Sequence, residues 1–243
     1  MKLIKLSAIA STNSYLRDLG MKMYLEDETV VWAESQTKGR GQRGSSWVSE
    51  AGKSLTFSMF KRFSMLSSEE HIKINLAVSL GISASMNRLK IPQITIKWPN
   101  DIMSYNKKLC GILIENQLQG NSVIGSIIGI GINVNNSVFH NLHNAGSMLM
   151  ATDIMYDPER VLSQVVADIS AQLDRVENTD FETLNREYHD LMFRKDIISV
   201  FEHNDRSLFN GIIRGVSNSG NLRIEMEDES VQEFKVKEIL LRY

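Results

Sequence analysis

The sequence holds a single cysteine, Cys110, so no intramolecular disulfide can form, and a reducing compartment fits that usage. No cysteine and histidine cluster has metal-site spacing, which excludes a structural zinc of the usual kind. Proline is scarce, at 3 residues, and glycine reaches only 15, which excludes collagen-like and Pro/Gly-rich disordered chains. No run of about eighteen apolar residues exists to make a membrane span. The apolar N-terminus from Met1 to Leu6 is too short for a secretory h-region, so a cytoplasmic location is expected. Positive charge has no surplus either: Lys+Arg 27 against Asp+Glu 29 gives a net charge of -2. No global field therefore advertises nucleic acid or an anionic membrane, and any anion site must be local.

What remains is the composition of a folded protein, 42% hydrophobic and 23% charged over 243 residues, long enough to bury a core without staples. Leu3 to Leu6 alternates like a short strand, and Ser11-Thr12-Asn13 offers caps to a helix through Tyr15, Leu16 and Leu19. Thr29 to Ala33 reads as a buried strand leading into a glycine-rich stretch from Gln36 to Trp47, and Ser54 to Phe60 alternates with period two. Ser67-Ser68-Glu69-Glu70 has capping-box spacing ahead of a helix through Ile72, Leu76, Leu80 and Ala84 that ends near Lys90. Ile94–Trp98, Lys108–Glu115 and Ser122–Val134 then read as three strands, the middle pair joined by the turn Ser104-Tyr105-Asn106-Lys107. Asp157-Pro158 opens a helix with one apolar face from Val161 to Leu173, and a second runs from Asp180 to about Asp190. After that, Ile197–Phe201, Ser207–Val216, Asn221–Met226 and Val231–Val236 are short strands between polar turns, the pattern of a small β-barrel. The division expected is a domain over 1–190 and a second over 191–243. The 12 methionines read as gap-filling core.

Four segments carry candidate chemistry. Gly39-Arg40-Gly41-Gln42-Arg43-Gly44 sets exposed backbone N–H groups beside forked arginine donors, a combination suited to phosphate or carboxylate. It is neither a Walker loop nor a Rossmann fingerprint, and an exposed flexible loop or an RGG-like nucleic-acid contact stay open on spacing alone. Lys97-Trp98-Pro99-Asn100-Asp101 projects a cation, an amide and a carboxylate from one turn, while the plainer reading is an Asn-Asp turn with Trp98 packing. Lys107-Lys108-Leu109-Cys110-Gly111 and Ile128-Gly129-Ile130-Gly131-Ile132-Asn133 put glycines where strand alternation wants side chains, a mark of close approach by a ligand or another backbone. Lys107 reads as a solvated strand end more readily than Lys108 does. His71, His140, His143, His189 and His203 show no pairing that suggests catalysis.

Taken together, "STN", "GRGxRG" followed by Trp47, "KWPNDI", "KLCGILIE" and "GIGINV" occur in the order and at spacings similar to those of the biotin protein ligase family. The chain resembles that family from about Ser11 to Tyr243. The resemblance implies an α+β fold, a mixed β-sheet flanked by helices and related to class II aminoacyl-tRNA synthetases, followed by a C-terminal SH3-like β-barrel. It implies a two-step ligase with biotin and ATP as substrates and Mg²⁺ as cofactor: biotinoyl-adenylate forms, and its acyl group passes to one lysine of a biotin carboxyl carrier protein.

Carried over residue by residue, the resemblance assigns the biotin site to Ser11, Thr12, Asn13, Gln36, Gly39, Arg40, Gly41, Lys108 and Gly111. The ATP site takes Arg40, Gln42, Arg43, Trp47, Lys97, Asn100, Lys108, Asn133 and Arg242. Catalysis falls to Lys108, Arg40 and Asp101, with Asp101 also the candidate Mg²⁺ ligand and the candidate base for the acceptor lysine. Arg40 and Lys108 suit the chemistry because adenylation joins two anions, and a shielding loop is expected because the adenylate must be kept from water.

The sequence departs from the family's pattern at Gln42, where arginine is frequent. Members that also repress transcription carry a winged helix-turn-helix ahead of "STN", whereas ten residues precede Ser11 here, so no DNA binding is expected. No membrane partner is expected, and a homodimer through a sheet edge is compatible with the sequence. One rival on the same fold is a lipoate or octanoate ligase, against which the arginine-bearing loop before Trp47 favours biotin. A rival of another class, a nucleic-acid-binding module, is disfavoured by Glu225, Glu227, Asp228 and Glu229 in the terminal segment.

Overall fold

The computed structural model describes residues 2–140 and 142–243, and the side chain of Arg43 lies outside what is described. Seven strands form the main sheet: β1 (Lys2–Ile9), β2 (Thr29–Gln36), β3 (Ser54–Ser67), β4 (Ile94–Lys97), β5 (Asp101–Ser104), β6 (Lys107–Gln119) and β7 (Ser122–Asn133). Their order is β1-β2-β3-β7-β6-β5-β4. β1 runs parallel to β2 and every other pairing is antiparallel, so the sheet is mixed, as expected. The helices are α1 (Thr12–Lys22), α2 (Ile72–Arg88), α3 (Met148–Thr152), α4 (Pro158–Leu173) and α5 (Phe181–Asp190). No described helix is long and apolar enough to cross a membrane.

Residues directly opposed across a sheet share a face, and the registers show what each face is for. One row runs Ala33, Thr56, Gly131, Gly111, Asp101, Lys97, and the next runs Val31, Ser58, Gly129, Leu113. A third joins Phe60, Ile127 and Glu115. Leu16 and Leu25 pack on Val31, Phe60 and Ile127, so α1 covers that end of the face. The small and polar rows beyond it are left for a cleft. The opposite face carries Leu55, Phe57, Ile130 and Ile132 into the main core with α2 and α4, where each fully buried large apolar side chain contributes about 1.5–3 kcal/mol.

A second sheet contains β8 (Ile198–His203), β9 (Leu208–Val216), β10 (Leu222–Glu225), β11 (Val231–Phe234) and β12 (Ile239–Arg242), in the antiparallel order β11-β10-β9-β8-β12. Hydrogen bonds between described residues bolt it to the main body. Trp98 Nε1 donates to Gly220 O at 3.0 Å, Asn185 Nδ2 to Val216 O at 3.1 Å, and Val216 N to His189 Nε2 at 2.8 Å.

Several expectations need correction. The Ser67 hydroxyl accepts from Glu69 N and so caps a short 3-10 turn over Ser68–Glu70, while α2 starts later, at Ile72, and Glu70 pairs with Lys73 instead of closing a capping box. The turn from Ser104 to Lys107 joins β5 to β6, because Asp101–Ser104 is itself a strand that folds back on β4. α3 and β12 lack the length to show as patterns in the sequence.

Candidate active site

The cleft lies between the small-residue face of the main sheet and the second sheet, with a volume of about 490 Å³, in the range of small-molecule sites. Ser11, Thr12, Asn13 and Gln36 line one end of it. Ser11 sits at the N-cap position of α1 yet makes no side-chain cap bond. The cap comes from β2 instead: Gln36 Oε1 accepts from Thr12 N at 2.8 Å and from Thr12 Oγ1 at 3.1 Å. Ser58 Oγ, buried on β3, reaches Thr12 Oγ1 at 2.7 Å and Asn13 Oδ1 at 2.5 Å. Buried polar groups must be paired, and here they are paired with one another into a single polar wall. Ser58 escaped sequence reasoning because an alternating Ser in a strand carries no signal of its own.

The floor is made by glycines. A Cβ at Gly129 would collide with the Asn13 amide, and one at Gly131 would fall inside the Trp47 indole. At Gly111 a Cβ would lie 3.0 Å from Trp47 Cζ3 and 3.3 Å from Lys108 Nζ. The open face expected of these glycines is thus occupied by Trp47 and Asn13, and the ligand space lies above them. Trp47 Nε1 is buried with no hydrogen-bond partner, a donor left over at the cleft.

The loop folds on itself through an Arg40–Ser46 bridge and the bonds Trp47 N to Gly39 O, 3.0 Å, and Gly41 N to Ser45 O, 2.7 Å. Gln42 lines the cleft; Gly39 lies behind it, under the Trp47 backbone. Arg40 grips Glu115 with both terminal nitrogens, at 3.0 and 2.7 Å, and Asn13 Nδ2 donates to the same carboxylate at 2.8 Å. Burial alone would raise the Glu115 carboxyl, but bonds from Arg40 and Asn13 outweigh it and hold it below the usual range.

Lys108 is aimed by a β-bulge. Simple alternation turns it away from Gly111, but the register shifts between Ile102 and Met103, so that Leu109 is an extra residue of β6 against β5. Bulges re-aim side chains, and Lys108 Nζ comes to the Gly111 face, 2.6 Å from Asp101 Oδ1. Lys97 stands beside Asp101 in the same row, with its ammonium 4.7 Å from the centre of the Tyr243 ring. Burial pushes the Lys97 ammonium down, against the pull of Asp101. Asn100 closes the turn by donating to Ile112 O at 2.7 Å and accepting from Ile112 N at 3.0 Å. Arg40, Lys97 and Lys108 therefore meet in one cleft, which suits a multiply charged anion.

Other expected residues lie elsewhere. Asn133 is buried and donates to Gly146 O at 2.9 Å, outside the cleft lining. Arg242 donates from Nε to Glu202 Oε2 at 2.7 Å on the second sheet and does not line the cleft. The Arg43 side chain falls outside the described residues. For Mg²⁺, the described residues contain no group of three or more His, Cys, Asp and Glu, and the Asp101 carboxylate is engaged by Lys108. The donor set does not fit a cation held by the protein alone; a cation brought on a nucleotide belongs to that substrate.

A family profile described as the Biotin/lipoate A/B protein ligase family matches residues 6–133. The chain is 30% identical over 241 residues to the bifunctional ligase/repressor BirA of Escherichia coli, covering 98% of this chain and 73% of that protein. It is 27% identical over 157 residues to the biotin–[acetyl-CoA-carboxylase] ligase of Mycobacterium tuberculosis, covering 63% of this chain and 57% of that one. Among solved structures, the biotin protein ligase of Aquifex aeolicus in complex with biotin and ATP aligns with a TM-score of 0.79 at 27% identity, covering 99% of this chain and 98% of that one.

Proposed function

Because the chain belongs to the biotin/lipoate A/B protein ligase family, we propose that it activates biotin with ATP and transfers the acyl group to a lysine of a biotin carboxyl carrier protein. The observation that carries this reading is the pairing of a polar wall, Thr12, Asn13, Gln36 and Ser58, with the cations Arg40, Lys97 and Lys108 along one cleft. A cyclic urea needs donors and acceptors at the buried end of its site, and a carboxylate meeting a triphosphate needs cations at the other. An octanoyl or lipoyl chain would bring no donors or acceptors to this wall, whereas the ureido ring of biotin has both.

In the first step the biotin carboxylate attacks the α-phosphate and pyrophosphate leaves. Negative charge concentrates where Lys108 and Lys97 reach, so these cations stabilise the transition state more than the separated substrates. Trp47 shields the mixed anhydride from water by sitting over the glycine floor. In the second step a neutral acceptor amine attacks the acyl carbonyl and AMP leaves. Asp101 orients that amine and receives its proton, once Lys108 has turned to the phosphate.

Incubating the protein with MgATP, biotin and a carrier domain, and following the intact mass of the carrier, tests the transfer. One biotinoyl group should be added, and a carrier whose target lysine is replaced by arginine should stay unmodified. An unmodified wild-type carrier would refute the transfer reading.

A further inference from the structure

The carboxylate of Glu115 is the most heavily bonded group at the cleft, yet it is neither cation nor nucleophile and lies behind the cleft lining. It stands on β6, opposite Ile127, at the boundary where α1 stops covering the sheet. Three hydrogen bonds and one ion pair converge on it. Oε1 takes Arg40 Nη1 at 3.0 Å and has Arg17 Nη1 at 3.5 Å, while Oε2 takes Arg40 Nη2 at 2.7 Å and Asn13 Nδ2 at 2.8 Å. Asn13 is tied in turn to Ser58 Oγ and to Leu113 O, at 3.3 Å. Arg40 Nε, by contrast, is buried without a partner. With one N–H of each terminal nitrogen committed to Glu115, Nε–H is the buried donor of this guanidinium that has no partner.

We propose that Glu115 is the positioning residue of this site: it ties Arg40 of the loop and Asn13 of α1 to one carboxylate, setting loop 39–47 against the biotin wall before substrate arrives and leaving the buried Arg40 Nε–H as a donor for the ligand. Its kinetic consequence rests on the biotin-ligase reading; the ordering of the loop does not. Two linked effects follow. The loop is held in its binding shape in advance, so less ordering is required on binding. The charge of Arg40 is matched by Glu115, so Arg40 acts as a directed hydrogen-bond donor.

The test compares wild type with Glu115→Gln, Glu115→Ala, Arg40→Ala and the Glu115→Ala/Arg40→Ala double variant. In ligand-free protein, amide hydrogen exchange of residues 39–47 should accelerate at least about 10-fold in Glu115→Ala, while residues 72–88 of α2 exchange as in wild type. Glu115→Gln keeps an acceptor but not the charge, should fall between the two, and serves as the readout if Glu115→Ala does not fold. In biotin-dependent ATP–pyrophosphate exchange, KM for biotin should rise about 10- to 100-fold in Glu115→Ala with kcat within about 3-fold, and the double variant should be no worse than Arg40→Ala alone. An unchanged exchange rate of 39–47 would overturn the proposal, as would KM effects that simply multiply in the double variant. Absence of biotin-dependent exchange in wild type would instead count against the biotin reading, and the hydrogen-exchange result would still decide the role of Glu115.

Discussion

Lys108 Nζ lies 2.6 Å from Asp101 Oδ1, across a bulge that alone brings the two side chains to the same face of the sheet. On the proposed reaction, a lysine held this way is aimed where charge would build during adenylation, and its partner carboxylate fixes its direction. Lys108→Ala should therefore lower the rate of ATP–pyrophosphate exchange by at least about 10²-fold with the thermal midpoint little changed. Asp101→Asn should lower exchange less and acyl transfer more, because it removes the orienting charge and the candidate proton acceptor together. Separate single-turnover measurement of the two steps checks this, and near-normal exchange by a folded Lys108→Ala would remove its assigned role.

Gly131 is required by Trp47. A methyl group there would displace the indole from the floor, so Gly131→Ala should raise KM for the nucleotide about 10-fold and shift tryptophan emission to longer wavelength. Combining it with Trp47→Phe, which frees space, should recover part of the affinity loss. No recovery would mean that the glycine answers to a different neighbour.

Trp98, although it belongs to the turn between Lys97 and Asp101, is a structural bolt. Its Nε1–H holds Gly220 O on the second sheet. Trp98→Phe should lower stability by about 0.5–1.5 kcal/mol, the net worth of one hydrogen bond, with KM for biotin within 2-fold. Chemical denaturation and steady-state kinetics on the same preparation separate the two effects.

His189 joins the bodies in a protonation-dependent way, because Nε2 accepts from Val216 N and must be bare to do so. Burial first, then the charges of Lys195 and Arg223, hold its imidazolium below its ordinary value. The unfolded chain then takes up this proton more readily than the folded one, so stability is complete above about pH 6.5 and falls as pH drops below it. Thermal midpoints measured from pH 7.5 to 5.5 should show the decline in wild type, and His189→Gln, which retains an acceptor, should flatten it.

The sequence made the chemistry legible where it forced unusual residues on the backbone. Glycines at 41, 111, 129 and 131 and the cations Arg40 and Lys108 stand out in the sequence, and they line the cleft. Most strands of the main sheet follow from apolar runs long enough to read, while its mixed character is implied by the family resemblance and not by those runs. What stayed hidden was relational. Nothing local in Lys108-Leu109-Cys110 announces a bulge, and a glutamate near the end of a strand reads as solvated until Arg40 and Asn13 are seen around it. Asp101–Ser104 is not legible as a strand, because four residues after Pro-Asn carry too few alternations. Gln36 capping α1 from another strand, in place of Ser11, is a contact across 24 positions that no local capping rule can anticipate. The nucleotide role expected for Arg242 is implied by the resemblance of the terminal segment to the family, whereas its guanidinium lies on Glu202.

The most direct test of the central claim is ATP–pyrophosphate exchange by the purified protein, with biotin, lipoate, octanoate or no acid supplied in turn. A polar wall at the head of a cationic cleft predicts exchange with biotin and none above background with the others. Exchange driven by lipoate or octanoate but not by biotin would contradict the account, because it would show that the hydrogen-bonding residues around Thr12 and Asn13 do not select the acid.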